Sequence, residues 1–129
     1  MEMSYDAVLL VTSNAKKLEE AVAPFRQDGF AVHTADTLDE ALSLIDPAAP
    51  PALVLLDADG LDEIGLREWG MRVISCSALT WVTAVTAMDA ETFHDAMEGL
   101  GMLPPLPKTP SRSDGEALLT ALRRFVPKP

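Results

Sequence analysis

The sequence has one cysteine, few basic residues and no long apolar run, and each shortage excludes a class of protein. Cys76, being alone, cannot form an internal disulfide or a cysteine-cluster metal site. Ten Lys and Arg residues stand against 20 Asp and Glu residues, which gives a net charge of −10. This charge argues against nucleic acid or an anionic membrane as the main partner, because both attract basic surfaces.

The apolar runs are far shorter than the ~20 residues that cross a bilayer. The N-terminus has no basic segment followed by an apolar one, so we expect no signal peptide and a cytoplasmic location. A length of 129 residues suits one domain, and 48% hydrophobic residues suffice for a buried core. We therefore expect residues 1–129 to form a single domain.

Short apolar segments alternate with segments of helical periodicity along the chain. Strands are predicted at residues 7–11, 30–34, 52–56 and 81–85, with a poor, proline-containing fifth strand at 102–106. This alternation predicts an α/β fold with a five-stranded, parallel, doubly wound sheet.

Helices are predicted between the strands from their capping residues and apolar faces. Asn14 should cap a helix over 15–28, in which Pro24 should cause a kink or fraying. Thr37 and Asp89 should cap two further helices, and a capping box at 113–116 should open the last one. Residues 61–80 favour a helix, but 72–76 also suit a strand.

Polar residues follow the predicted strands at the sheet edge where α/β proteins place their chemistry. In chain order, the residues after the first, third, fourth and fifth strands are Thr12 and Ser13, Asp57 and Asp59, Thr86, and Lys108. A carboxylate, a hydroxyl and an ammonium group at one edge suit a phosphoryl group, with the carboxylate as nucleophile and the others binding its oxygens.

The ordered set of residues 52–57, residues 85–87 and Lys108 resembles the receiver domain of two-component response regulators along nearly the whole chain. The resemblance implies a flavodoxin-like strand order. It also implies that Asp57 is the phosphoacceptor, Thr86 the switch hydroxyl and Lys108 the phosphoryl-binding lysine. The implied protein is a signalling module rather than an enzyme, phosphorylated by a histidine kinase and carrying no output domain.

The sequence departs from the receiver pattern at the metal-binding pair and at the aromatic switch position, among others. Receivers end their first strand with an acidic pair that binds Mg²⁺, and Thr12 and Ser13 replace that pair here. Asp57 and Asp59 are the remaining candidate metal ligands, so we expect weak Mg²⁺ binding, because Mg²⁺ prefers anionic oxygen ligands. The aromatic switch position of the fifth strand falls on Pro105. The chain therefore resembles a degenerate receiver.

Plainer interpretations of the same residues stay open. Asp57 and Asp59 also suit a turn that follows a strand, Thr86 suits a strand end, and Lys108 suits a solvated surface. His33 and His94 have no acidic or cysteine partner at ligand spacing, so we expect neither to bind a metal.

Three functions follow from these observations. The first is a stand-alone receiver in a two-component phosphorelay, with Asp57 as phosphoacceptor. The second is a phosphorylation-independent protein-interaction module, or pseudo-receiver, whose partner is another signalling protein or a second copy of the chain. The third is a small-molecule-binding domain that uses the crevice at the strand ends.

Overall fold

Four of the apolar segments pair into a parallel sheet in the structure, a computed structural model that describes residues 5–127. The strands lie in the order β2-β1-β3-β4. Their bounds are β1 (Ala7–Val11), β2 (Ala31–Ala35), β3 (Leu53–Asp57) and β4 (Trp81–Val85). Every residue of the central strand β1 is buried, which explains its uniformly apolar sequence. The parallel α/β prediction is confirmed.

Five α-helices within residues 5–127 cover the two faces of this sheet. They are α1 (Glu19–Gln27), α2 (Leu38–Leu44), α3 (Glu63–Cys76), α4 (Ala90–Ala96) and α5 (Arg112–Arg123), and a 3₁₀ turn at Ala15–Leu18 precedes α1. Side chains of β1 alternate between two cores, with Leu9 packing towards α2, α3 and α4 and Leu10 packing towards α1 and α5. None of the helices within residues 5–127 is long and apolar enough to cross a membrane.

The predicted fifth strand is reduced to a single bridge between Leu106 and Val85, so the prediction of five strands was wrong. The amide of Leu103 donates to the carbonyl of Val82, and the amide of Leu106 donates to the carbonyl of Ala84. A regular parallel ladder would use the amide of residue 105 for the second bond, but Pro105 has no amide hydrogen. The chain therefore bulges by one residue, and the ladder stops.

Residues 61–80 form one helix, α3, followed by a turn, so the alternative strand at 72–76 was wrong. The side chain of Asp62 caps this helix by accepting a hydrogen bond from the amide of Gly65 at 2.8 Å. Leu66 and Val73, two turns apart, are fully buried against the sheet. Gly70 faces inward in this helix and allows close packing against Leu100.

The structure confirms the predicted caps of two helices and shifts that of a third. Thr37 and Asp89 cap α2 and α4 as predicted. The capping box of α5 pairs Ser111 with Asp114, two residues before the predicted box, because this pair satisfies the helix start directly after Pro110.

The first helix also differs from its prediction. The side chain of Asn14 forms no capping hydrogen bond, and a 3₁₀ turn, Ala15–Leu18, occupies the predicted first turn. The α-helix then begins at Glu19 and continues past Pro24 to Gln27. Pro24 lies only five residues after Glu19, so it removes one hydrogen bond from a short helix without ending it.

Candidate functional site

A small polar cavity lies at the carboxyl ends of β1 and β3. Its volume is about 370 Å³, and Asp57, the last residue of β3, forms part of its wall. Trp69 of α3 closes one side, and Asp36 and Asp59 contribute two more carboxylates. Sequence reasoning expected this edge to hold the site, and the structure does bring Thr12, Ser13, Asp57 and Asp59 together there.

Thr12 contacts Asp57 directly. The Thr12 hydroxyl donates a hydrogen bond to Asp57 Oδ2 at 2.7 Å, and the same oxygen of Thr12 accepts one from the amide of Asn14 at 3.0 Å. Because Thr12 is buried, its hydroxyl has little access to water and its hydrogen is committed to the carboxylate. Thr12 thus orients the Asp57 side chain from the end of β1.

Lys17, which sequence reasoning missed, holds the other carboxylate oxygen. Its Nζ lies 2.9 Å from Asp57 Oδ1, and the two side chains are only 18% and 10% exposed. The amide of Asp59 makes a longer contact of 3.4 Å with the same oxygen. The sequence feature that could have identified Lys17 is its position. A lysine in the first turn after β1 lies close to the end of β3, because β1 and β3 pair with each other.

Thr86 and Lys108 are not among the partners of Asp57 in the described range. Thr86 is buried, and its hydroxyl oxygen accepts a hydrogen bond from the amide of Met88 at 3.1 Å, so it supports the turn after β4. Lys108 is mostly exposed, and its Nζ lies 3.4 Å from Asp59 Oδ1. The expected grouping of carboxylate, hydroxyl and ammonium around Asp57 does form, but from Thr12 and Lys17.

These residues do not fit the Mg²⁺ ion that the receiver resemblance implies. Mg²⁺ requires several oxygen ligands in near-octahedral geometry, with carboxylates to offset its dehydration. Here the Thr12 hydroxyl contacts one oxygen of Asp57 and the Lys17 ammonium contacts the other. Asp59 is paired with Lys108. Between residues 5 and 127, no three His, Cys, Asp or Glu side chains are grouped so that they could hold a metal ion.

Compared as a sequence, the chain matches no protein-family model and no curated protein. Compared as a structure, it is similar to many response regulators. A two-component response regulator from Legionella pneumophila matches with a TM-score of 0.67 at 17% identity, over 95% of this chain and 99% of that one. Another from Clostridium difficile matches with a TM-score of 0.72 at 13% identity, over 95% and 98%.

A third similar structure is a response regulator from Burkholderia pseudomallei that was solved with a phosphorylated aspartic acid, a calcium ion and citrate. It matches with a TM-score of 0.68 at 20% identity, over 90% of this chain and 65% of that one. At such identities the similarity shows the fold alone. The chain therefore has the CheY-like fold of response-regulator receiver domains, as the sequence resemblance implied.

Proposed function

We propose that the protein is a receiver-type signalling module that acts through contacts with a protein partner and without a phosphoryl group on Asp57. One observation carries this proposal: both oxygens of the Asp57 carboxylate are engaged, by the Thr12 hydroxyl at 2.7 Å and the Lys17 ammonium at 2.9 Å. The partner that we infer is another signalling protein, with a histidine kinase as one candidate and a second copy of the chain as another.

A carboxylate that attacks a phosphodonor needs a free lone pair directed at the phosphorus atom. In Asp57, the ion pair and the hydrogen bond both withdraw charge from the oxygens, which makes the carboxylate a weaker nucleophile. A divalent cation that would offset the charge of the incoming group also lacks a fitting set of ligands here. These features support a site whose carboxylate has a structural role.

The arrangement of the other candidate residues supports the same conclusion. Thr86 uses its hydroxyl oxygen in the turn after β4, and Lys108 pairs with Asp59. Pro105 occupies the position at which receivers carry an aromatic switch, and its ring has no side-chain rotation that could report on Thr86. The residues that would bind and then signal a phosphoryl group are therefore engaged elsewhere or replaced.

A phosphorelay receiver with Asp57 as phosphoacceptor is the second candidate function. The observation in its favour is the position of Asp57, which ends β3 on the wall of an open polar cavity. The structurally similar response regulator from Burkholderia pseudomallei was solved with a phosphorylated aspartic acid. In this alternative, Lys17 would release Asp57 and bind the phosphoryl oxygens instead.

Intact-mass measurement after incubation with a small phosphodonor and Mg²⁺ separates the two functions. We expect the wild-type chain to gain no phosphoryl group. An Asp57→Asn variant gives the background of labelling at other residues. A mass increase of one phosphoryl group in the wild type that is lost in Asp57→Asn would establish the phosphorelay function and refute our proposal.

A further inference from the structure

We propose that Lys17 is a tethered cation that takes the place of a bound divalent metal at Asp57 and keeps Mg²⁺ out of the cavity. This inference rests on the proposed function, because it concerns the same carboxylate and explains how that carboxylate keeps its charge compensated without a metal. It concerns what the cavity binds, whereas the proposed function concerns whether Asp57 is phosphorylated.

The charge balance of the cavity is the first argument. Three carboxylates, from Asp36, Asp57 and Asp59, line a space of about 370 Å³, and Lys17 is the cation in its lining. Anionic groups around one small cavity repel one another unless a positive charge lies among them. Lys17 supplies that charge at 2.9 Å from Asp57, while Lys108 lies outside the lining and pairs with Asp59 from the more exposed side.

The backbone of Lys17 is fixed within reach of Asp57, which is the second argument. Lys17 lies in the 3₁₀ turn, and its amide donates to the carbonyl of Asn14. The next residue, Leu18, is fully buried in the core beside α1 and fixes the turn. A tethered group has a high effective concentration at its partner, so a free ion must compete with a cation that never diffuses away.

The chemistry of the ligands is the third argument. Mg²⁺ gives up its water reluctantly, so it keeps several waters and is held by carboxylates that are free to reach it. At Asp57 the ion would have to displace the Lys17 ammonium and would then lie close to its positive charge. Thr12 and Ser13 offer hydroxyls without negative charge, so they do not repay this cost.

Titration of the full chain with Mg²⁺ tests the inference, with the amide NMR signals of Asp57 and Asp59 as the readout. The variant Lys17→Met removes the charge and keeps an apolar stem of similar length. Two controls accompany it: Lys17→Arg keeps the charge, and Lys16→Met removes the same charge from the neighbouring exposed residue. A Lys17→Gln variant repeats the test if Lys17→Met does not fold.

We expect Mg²⁺ affinity to rise by roughly tenfold or more in Lys17→Met, since a positive charge close to the ion is removed. Lys17→Arg and Lys16→Met should behave as the wild type. Equal affinities in the wild type and the uncharged variant, Lys17→Met or Lys17→Gln, whether both bind or neither does, would overturn the inference, as would saturable sub-millimolar binding to the wild type. Phosphorylation of the wild type would refute the proposed function but would leave this result unchanged.

Discussion

Lys17 and Asp57 form an ion pair with 2.9 Å between Nζ and Oδ1, and this contact joins the turn before α1 to the end of β3. Thr12 binds the second oxygen of the same carboxylate, so two residues of the β1–α1 connection hold one side chain of the neighbouring strand. Asp57 is thus held by contacts that connect two parts of the domain. Changes at these three positions should therefore alter both stability and cation binding.

Restoring the acidic pair tests how the cavity excludes metal. In a Thr12→Asp, Ser13→Asp variant, two added carboxylates supply ligands that suit Mg²⁺. The variant should be less stable than the wild type without metal, because Thr12 is buried beside Asp57 and like charges repel. Added Mg²⁺ should raise its melting temperature, with about 3 kcal/mol of stabilisation at a hundredfold excess over Kd.

Lys17 should limit this repair. A triple variant that also carries Lys17→Met should bind Mg²⁺ more tightly than the double variant, because Asp57 is then free to act as a ligand. Thermal melts with and without Mg²⁺ compare the two, and the wild type gives the baseline. If the triple variant folds and still binds no Mg²⁺, Asp57 lies outside the repaired site.

Gly115 should not tolerate any side chain. It lies on the buried face of α5, and a Cβ at this position would stand 2.0 Å from the carbonyl oxygen of Ala21 in α1. Gly115→Ala should lower the free energy of unfolding by at least about 2 kcal/mol, although alanine is the better helix former by about 1 kcal/mol. Urea denaturation measures the change.

Gly70→Ala is the matched control for this prediction. Gly70 also lies inside a helix, but a Cβ there would meet the flexible end of Leu100 at 3.3 Å, which can move. Its effect should stay within about 1 kcal/mol in either direction. If Gly115→Ala were as stable as Gly70→Ala, the close approach of α1 and α5 would be wrong.

Acid should weaken the N-terminal cap of α4. The amide of Thr92 donates a hydrogen bond to Asp89, the N-cap of α4, and this bond lowers the pKa of Asp89 below its ordinary value of 3.8. The cap is thus fully effective above pH 3.8 and is lost as the pH falls through the lower, folded-state pKa. The protection factors of the α4 amides, which are corrected for the intrinsic exchange rate at each pH, should fall in that range.

Asp89→Asn is the control, because asparagine caps helices and does not titrate. In that variant, the difference in α4 protection between neutral and acid pH should become smaller. Acid-induced loss of α4 protection that is identical in wild type and variant would show that other carboxylates cause it.

The parallel fold was predictable because its strands are short, mostly apolar and separated by segments of helical periodicity. The loss of the fifth strand was not predictable, because it depended on one missing hydrogen bond. Only the register against β4 shows that the amide of residue 105, which proline lacks, was the one required. The prolines warned of a weak strand without showing where the ladder would stop.

The sequence predicted the edge of the sheet at which the site lies, but it did not predict which side chains contact Asp57. Asp57 ends β3 and Thr12 follows β1, and these two strands pair with each other, so the proximity of the two residues followed from the order of the strands. The choice of lysine did not follow, since Lys17 and Lys108 both carry a flexible cation and lie at the same end of the sheet. Tertiary packing decided between them, because the buried Leu18 holds the turn that directs Lys17 to Asp57.

A double-mutant cycle on Lys17 and Asp57 tests the central claim most directly, since it measures whether the carboxylate is held by the lysine. The free energies of unfolding of wild type, Lys17→Met, Asp57→Asn and the double variant are compared by urea denaturation. For a pair this little exposed, we predict a coupling energy of about 1–3 kcal/mol, with each single variant destabilised. Effects that add within about 0.5 kcal/mol would contradict the account, because Asp57 would then be free of Lys17.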